Sequence, residues 1–297
     1  PTLKSTFSTG WVFMIPIIGI ISALMSGYSP TFTAGIGVLG AVVASALLKS
    51  TRMTPWQILE ALGETTLRIL PVAGACAAAG LVIGGLSMTG LGMKAANVIL
   101  TISGEQPVVT LMIAAVVTII LGLGMPTPSA YILAAVLVGP ALAKLGYPIL
   151  QSHMFLLYYA VLSALTPPIA VAALAAAAIA EEDPFKIAFS AVRLAAVGFL
   201  LPFAFVWNPG LLMLGDTATN LLALSGGILA TAAIAISIEG SVGIVLRPVE
   251  RLVLTLGAAA AVAPIAWISL SGIAVIIAIG VRYGLLLQKK RAVGATG

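Results

Sequence analysis

Charged side chains are scarce in this sequence. They make up 8% of its 297 residues, whereas hydrophobic residues make up 61%. Soluble domains carry about 25% charged residues, and they need a wetted surface that this composition cannot supply. The long runs are also apolar all round, without the polar face of a soluble helix. The composition therefore excludes an ordinary soluble domain and predicts an all-α polytopic membrane protein.

Cysteine and histidine occur once each, as Cys76 and His153. A single cysteine forms no internal disulfide and makes no metal site. The HExxH, GxSxG and GxxxxGK[ST] motifs are absent, and no nucleophile–base pair is evident. We therefore expect no enzyme and no cofactor, with Cys76 as a small packing residue. His153 is expected to be packed or interfacial, with a polar contact that moves during transport as the alternative.

Basic residues are in excess, with a net charge of +5, but they are scattered between the apolar runs. Such scattering is typical of charges that fix membrane topology and does not indicate nucleic-acid binding. The cluster at 289–291, Lys-Lys-Arg, predicts a cytoplasmic C-terminal end.

Apolar runs of about 20 residues predict membrane-spanning helices. The segment Met53–Leu70 differs, because Glu60, Glu64 and Arg68 recur at a spacing of four and share one helix face. We interpret it as an amphipathic helix at the membrane interface, and 242–251 as a second interfacial segment. The last two predicted spans are separated by breaks at Pro264 and at 269–272. The predicted spans are Trp11–Tyr28, Thr31–Leu48, Pro71–Leu91, Ile187–Trp207, Leu221–Ile238, Leu252–Trp267 and Ile268–Leu287.

Two segments are interrupted by glycine or proline. Val108–Leu123 and Tyr131–Lys144 flank a Gly-Met-Pro-Thr-Pro-Ser-Ala sequence at 124–130, and both are short for a full crossing. This pattern predicts a re-entrant hairpin over 108–145. The second interruption, Thr-Pro-Pro at 166–168, predicts a broken helix over 153–180, because proline supplies no backbone N–H.

Opened helices offer the chemistry of a transport site. A dehydrated cation needs oxygen ligands, which freed carbonyls and the hydroxyls of Thr127, Ser129 and Thr166 could supply. Half-helix N-termini attract anionic substrates. The simpler alternative is two proline kinks. The acidic residues Glu105 and Asp183, like Asp216, lie outside the predicted spans, which favours sodium over proton coupling.

The residues around both breaks resemble the large membrane subunit of TRAP transporters, the tripartite ATP-independent periplasmic transporters. The resemblance rests on GLGMPTPSAYILAAVLVGPALAKLGYP at 122–148 and on HMFLLYYAVLSALTPPIAVAALAAAAIAEEDPFK at 153–186. GLVIGGLSMTGLG at 80–92 and VERLVLTLGAAAAVAP at 249–264 extend it. It is closest to fused permeases that work with TAXI-type binding proteins.

The resemblance implies sodium-coupled uptake of an organic anion, often a carboxylate, delivered by an extracytoplasmic binding protein. It also implies two inverted repeats and an elevator mechanism. Two groups of residues would form the sodium and substrate sites. They are Gly124, Met125, Pro126 and Thr127 at the hairpin tip, with Ser129 added by its hydroxyl, and Thr166, Pro167 and Pro168 at the broken helix.

Only one hairpin and one Pro-Pro break are present in the sequence. We therefore predict that the chain holds the second inverted repeat and C-terminal helices, as a fragment or a split-gene product. The first repeat and the small-subunit helices would lie elsewhere, in the same or a separate chain. The expected domains are scaffold helices at 1–52, an arm at 53–70, half of a transport domain at 71–186, a scaffold helix at 187–215 and a C-terminal extension at 216–297.

Two other functions stay open at this point. One is a sodium-coupled elevator transporter that needs no binding protein, which would show similar broken helices. The other is a membrane scaffold without transport. Uptake that depends on a binding protein would distinguish a TRAP-type transporter from the other elevator transporter. Stabilisation by sodium would distinguish a transporter from a scaffold.

Overall fold

A computed structural model describes residues 10–47 and 51–294, with side chains described up to residue 288. The predicted helix end at Leu48, the neighbouring Lys49 and the basic side chains at 289–291 lie outside these descriptions. The chain divides into two compact units, Pro1–Gly74 and Ala75–Gly297. Within the described residues, five helical stretches are long and apolar enough to cross a membrane: Pro30–Leu47, Pro55–Thr89, Pro184–Trp207, Thr217–Glu239 and Ala266–Gln288. The predicted all-α polytopic membrane class is thereby confirmed.

The first unit contains a helical hairpin formed by the first two predicted spans. After a 3-10 turn at Trp11–Phe13, helix α1 covers Met14–Met25 and α2 covers Pro30–Leu47. The helices approach closely at Gly40, where a Cβ would lie 2.9 Å from the Cα of Pro16. The connecting turn uses Gly27 at a φ of +79°, which glycine adopts without a steric penalty.

Helix α3 covers Pro55–Thr89 as one continuous helix of 35 residues. It begins with a capping box, because Thr54 N donates to Gln57 Oε1 (2.8 Å) and Gln57 N donates to Thr54 Oγ1 (3.3 Å). The prediction of two separate helices meeting at Pro71 was wrong. A proline removes only one backbone hydrogen bond, and the strong helix formers on both sides of Pro71 continue the helix through it. An interfacial role for its first half stays a prediction.

In the second unit six shorter helices follow α3, and the first five of them share one core. These are α4 (Leu91–Ser103), α5 (Pro107–Gly122), α6 (Thr127–Leu137), α7 (Gly139–Lys144), α8 (Ile149–Leu162) and α9 (Val171–Ala180). Large side chains fill the core: Leu111, Leu142, Phe155 and Leu156 are completely buried. Helix α4 was not among the predicted elements.

The predicted span Ile187–Trp207 consists of two helices, α10 (Pro184–Leu194) and α11 (Ala196–Trp207). They meet at Ala195, which has φ −85° and ψ 4° and ends α10. The remaining helices are α12 (Thr217–Glu239), α13 (Pro248–Ala261) and α14 (Ala266–Gly294).

The predicted breaks near the C-terminus were half right. The chain does turn around Pro264, between α13 and α14. The predicted second break at 269–272 was wrong, because these residues lie inside α14. Ser269 Oγ donates to Ala261 O (2.8 Å), and Gly272 packs against the backbone of Ala261. The small residues serve close helix packing and do not interrupt the helix. The segment 242–251 contains a turn and the start of α13.

Candidate functional site

The hairpin tip joins α5 to α6. Helix α5 ends at Gly122, and α6 begins at Thr127, four residues earlier than the predicted Tyr131. Gly124 has a φ of +74°, which reverses the chain, and Pro126 precedes the first turn of α6. Helices of 16 and 11 residues are both shorter than the roughly 20 residues of a full crossing. Thr127 and Ser129 consequently lie in the first turn of α6.

The second interruption separates α8 from α9. A 3-10 turn at Ser163–Leu165 follows α8, and the peptide bond between Pro167 and Pro168 is cis. Neither proline donates a hydrogen bond, so the carbonyls four residues before them lose their helical donors. Thr166 N donates to Ser163 O instead (3.2 Å), and Ala170 N donates to Thr166 O (3.2 Å). The helix resumes after Ala170, at a φ of +42°.

The two interruptions lie against each other. A Cβ on Gly124 would stand 3.2 Å from Ile169 Cδ1, directly after the Pro-Pro pair. A Cβ on Gly122 would stand 2.8 Å from Ser163 Cβ, directly before it. Glycine at both positions therefore allows the tip and the broken helix to touch. The structure brings the residues predicted for one site to one place, and their role in binding stays a prediction.

The predicted hydroxyl residues have different surroundings. Thr166 Oγ1 donates to Leu162 O (2.7 Å), and its lone pairs remain available to a ligand. Ser129 is buried, and its Oγ donates to Cys76 Sγ at 3.5 Å. Thr127 is half-buried, and its side chain makes no hydrogen bond within the described part of the chain. Thr127 and Thr166 are thus the two hydroxyls best placed to bind a ligand.

The remaining predicted site residues would contribute backbone carbonyls to a ligand. Met125, Pro126 and Pro167 are half-buried, whereas Gly124 and Pro168 are exposed. The carbonyl of Pro126 accepts from Ala130 N (3.1 Å) at the start of α6, whereas the carbonyls of the other four have no backbone donor among the described residues. A ligand would therefore meet a surface made mainly of backbone oxygens and threonine hydroxyls.

A cavity of about 360 Å³ lies on the α10 side of the broken helix. Its lining includes Pro168, Ile169, Asp183 and Phe185. The carboxylate of Asp183 accepts from the backbone N–H groups of Phe185 (2.9 Å) and Lys186 (3.0 Å), so it caps α10. Next to it, the backbone N–H of Asp183 and then the Lys186 ammonium lower the pKa of Glu182. The sequence analysis placed Asp183 outside the predicted spans but did not predict the cavity; the Asp-Pro pair indicated only the start of a helix.

His153 is joined to the hairpin. Its Nδ1 lies 2.7 Å from the hydroxyl of Tyr131, and the two rings meet edge to face. Tyr131 belongs to α6 and His153 to α8, so the contact ties the second hairpin helix to the helix that breaks. The geometry agrees with a packed histidine; motion of this contact during transport stays a prediction.

The structure combines helices long enough to cross a membrane with a hairpin of two short helices. A broken helix contacts the tip of that hairpin. Together these features indicate a class of membrane protein. Irregular backbone gathered at one place in a helical membrane protein is characteristic of secondary transporters.

The family model of the "Tripartite ATP-independent periplasmic transporter, DctM component" matches residues 1–218, and the chain belongs to this family. No curated protein matches the chain, and no solved structure does. The family confirms a TRAP-type membrane component and a multi-pass transporter protein. The match ends in the first turn of α12, so most of α12 and all of α13 and α14 lie beyond it.

Proposed function

We propose that the chain carries an organic anion of the carboxylate class across the membrane together with sodium, as the permease component of a TRAP-type transporter. The observation that carries the proposal is the contact between the hairpin tip and the broken helix. Gly122 and Gly124 pack against Ser163 and Ile169, so the two interrupted segments touch each other. We propose that the ligands bind in the small volume beside this contact.

Sodium would bind oxygen atoms in this volume. Hard cations take carbonyl, hydroxyl and carboxylate oxygens, and the two interruptions offer carbonyls beside Thr127 and Thr166. Of the acidic residues, Asp183 and Asp216 stand as caps before α10 and α12, and Glu105 lies in the turn before α5. Asp183 borders the cavity beside the Pro-Pro break, but its carboxylate caps α10. None of the three carboxylates lies within a helix, which supports sodium as the coupling ion.

The carboxylate of the substrate would meet the first turn of α6. Pro126 occupies the cap position of α6 and provides no side-chain cap. The first-turn N–H groups of Thr127 and Ser129 therefore remain for an anion, and the helix dipole favours negative charge at this end. Pro128 contributes no N–H, so the tip offers two donors rather than three.

The proposed assembly has further components. An extracytoplasmic binding protein would deliver the substrate, and the first inverted repeat with the small-subunit helices would complete the enclosure, in the same or another chain. The chain would then act as one half of an elevator in the cytoplasmic membrane of a bacterium or archaeon, closest to the TAXI-type fused permeases.

Sodium-dependent thermal stabilisation of the purified chain in detergent tests the site. Sodium chloride is titrated at constant ionic strength against choline chloride, and the unfolding midpoint is followed. Thr127→Val and Thr166→Val should each weaken the apparent sodium affinity by about tenfold, which corresponds to one lost hydrogen-bonding ligand. Thr66→Val is the matched control, because Thr66 Oγ1 also donates to the carbonyl four residues earlier (2.9 Å), but in the uninterrupted α3.

Three results discriminate the functions. Sodium stabilisation that is equal in all variants would argue against this site. Absence of any sodium effect would favour the non-transporting scaffold. Sodium-dependent uptake in the reconstituted transporter without a binding protein would favour the other elevator class.

A further inference from the structure

The last helices form a second core outside the hairpin region. Ala230 and Ala233 of α12 are buried with Ala258 and Ala261 of α13, and larger residues of α14 complete the cluster. Asn208 connects the end of α11 to this core by hydrogen bonds, since its Nδ2 donates to Val262 O (3.0 Å) and Ala263 O (3.3 Å). Between α11, α12 and α13 an apolar groove remains.

The groove has a volume of about 350 Å³. It runs along α11 from Val197 to Trp207, which is about 15 Å at 1.5 Å per residue. This length is half of the roughly 30 Å hydrocarbon thickness of a bilayer, the depth of one leaflet.

The groove walls offer an occupant almost no hydrogen bonds. Its two threonines are satisfied within their own helices: Thr231 Oγ1 donates to Gly227 O (2.8 Å) and Thr255 Oγ1 donates to Arg251 O (2.9 Å). Trp207, at one end, carries the only other polar atom among the lining side chains. An apolar chain fits such a surface, whereas a polar solute would lose its hydration there without compensation.

One end of the groove is basic. Arg193 stands four residues before Val197 on the chain, and Arg251 stands one helical turn before Thr255. Glu239 lies at the same end, because Arg193 Nη2 is 3.1 Å from its Oε2 and both side chains are exposed.

Arg251 carries a charge that no carboxylate neutralises among the residues the structure describes. Its guanidinium donates to the last carbonyls of α12, from Nε to Ser237 O (2.6 Å) and from Nη2 to Ile238 O (3.3 Å). With Arg193 and Glu239, the groove mouth carries a net charge of +1. A headgroup with one negative charge would balance this charge.

We infer that this groove binds one acyl chain of an anionic glycerophospholipid, with the headgroup phosphate at Arg193 and Arg251. An apolar slot one leaflet deep, with positive charge at one end only, matches the layout of such a lipid. The mouth supplies guanidinium groups, which suit phosphate geometry. This lipid site lies apart from the hairpin and does not depend on the proposed transport chemistry.

The test uses the purified 297-residue chain in a non-ionic detergent, titrated with phosphatidylglycerol or phosphatidylcholine. Lipid retained per protein after gel filtration is measured by mass spectrometry, together with the unfolding midpoint. Phosphatidylglycerol should bind at least fivefold more tightly than phosphatidylcholine, because about 1 kcal/mol per arginine at the surface is a factor of five. Glycerophosphoglycerol, the same headgroup without acyl chains, should not compete.

Two variants probe the two halves of the site. Ala259→Phe places a ring in the groove from an exposed position and should reduce retention of phosphatidylglycerol at least tenfold. Its matched control is Ala232→Phe, an exposed position of α12 that does not line the groove. Arg193→Gln should weaken phosphatidylglycerol about fivefold and leave phosphatidylcholine unchanged.

If Ala259→Phe retained as much phosphatidylglycerol as Ala232→Phe, the proposal would be overturned. This comparison stays decisive even if Arg193→Gln fails to fold. Competition by glycerophosphoglycerol would show a solute site instead. A change of oligomeric mass in Ala259→Phe, with lipid retention unchanged, would assign the groove to a protein helix.

Discussion

The hairpin region and the C-terminal helices are both packed helical structures, but their completely buried side chains differ in size. Around the hairpin, completely buried large side chains such as Leu111, Phe155 and Leu156 fill the space between short helices. In α12–α14, glycines such as Gly226 and Gly272 face the backbone of Ala261 directly. Close glycine contacts occur in both regions, since a Cβ on Gly92 would lie 2.8 Å from Val136 O near the hairpin. In α12–α14 the small residues bring the backbones of whole helices into contact.

The largest effect is expected from filling a backbone contact in the C-terminal region. A Cβ on Gly272 would overlap the backbone of Ala261 and Gly257 and lie 2.8 Å from Ala260 C. Backbone cannot rotate away, so Gly272→Ala should destabilise the chain by about 1–3 kcal/mol. The measurement is the unfolding midpoint in detergent.

Gly284→Ala is the control in the same helix, because nothing lies within 4 Å of its position for a Cβ. It should be neutral or slightly stabilising, since alanine favours helix over glycine. Similar destabilisation by both variants would contradict the backbone-contact interpretation.

The next effect concerns the contact between hairpin tip and broken helix. Gly122→Ala would press a methyl group against the side chain of Ser163, which is buried. We expect a loss of about 1–2 kcal/mol and a reduced response to sodium, because the two open segments would separate. Gly139→Ala is the control, since its Cβ would make an ordinary contact of 3.8 Å with Leu156. A sodium response that stays normal in Gly122→Ala would mean that the contact is not needed for binding.

A smaller effect is expected where the two regions are joined. Asn208 is buried and bonds to the turn between α13 and α14. Asn208→Ala should cost about 1 kcal/mol, because it leaves the carbonyl of Val262 without its donor. Asn220→Ala, at a half-buried asparagine that bonds to Gly215 five residues earlier, should cost less. If thermal unfolding showed the reverse order, the joint at Asn208 would not hold the regions together.

The smallest effect is expected on the wet face of α3. Glu64 Oε1 pairs with Arg68 Nη2 at 2.7 Å, and both side chains are largely exposed. Glu64→Gln should change the free energy of unfolding by no more than about 0.5 kcal/mol, the usual contribution of an exposed i,i+4 pair. Transport activity of the complete transporter should be nearly unchanged. Loss of transport activity with normal stability would show that this face of α3 takes part in transport beyond supporting the fold.

The positions of both interruptions could be predicted from the sequence. Pro167 and Pro168 remove two adjacent backbone donors, and the Gly-Met-Pro-Thr-Pro run combines a glycine with two prolines. Both sequences disfavour a continuous helix more strongly than the single Pro71 does. What the sequence could not show is that the tip lies against the broken helix. That contact depends on Gly122 meeting Ser163, a pairing across 41 positions of chain that no periodic pattern encodes.

Other elements escaped prediction for definite reasons. Helix α4 is 13 residues long and contains Lys94 and Asn97, so a search for apolar runs of membrane length passes over it. Its flanking residues, Gly90 and Gly104, both have positive φ and were the available signal. Pro71 shows the opposite error, since a proline was interpreted as a boundary in a helix that continues through it.

The shortness of the hairpin helices bears on how the protein is made. Helix α6 has 11 residues and is about 16 Å long, so it cannot reach across the hydrocarbon layer by itself. The insertion machinery selects segments by their apolar length, and this segment does not meet that criterion. If the hairpin is re-entrant, as we propose, α6 would enter the bilayer together with α5 and would depend on packing against α8, which is synthesised afterwards. Insertion of such a hairpin would then not proceed one helix at a time.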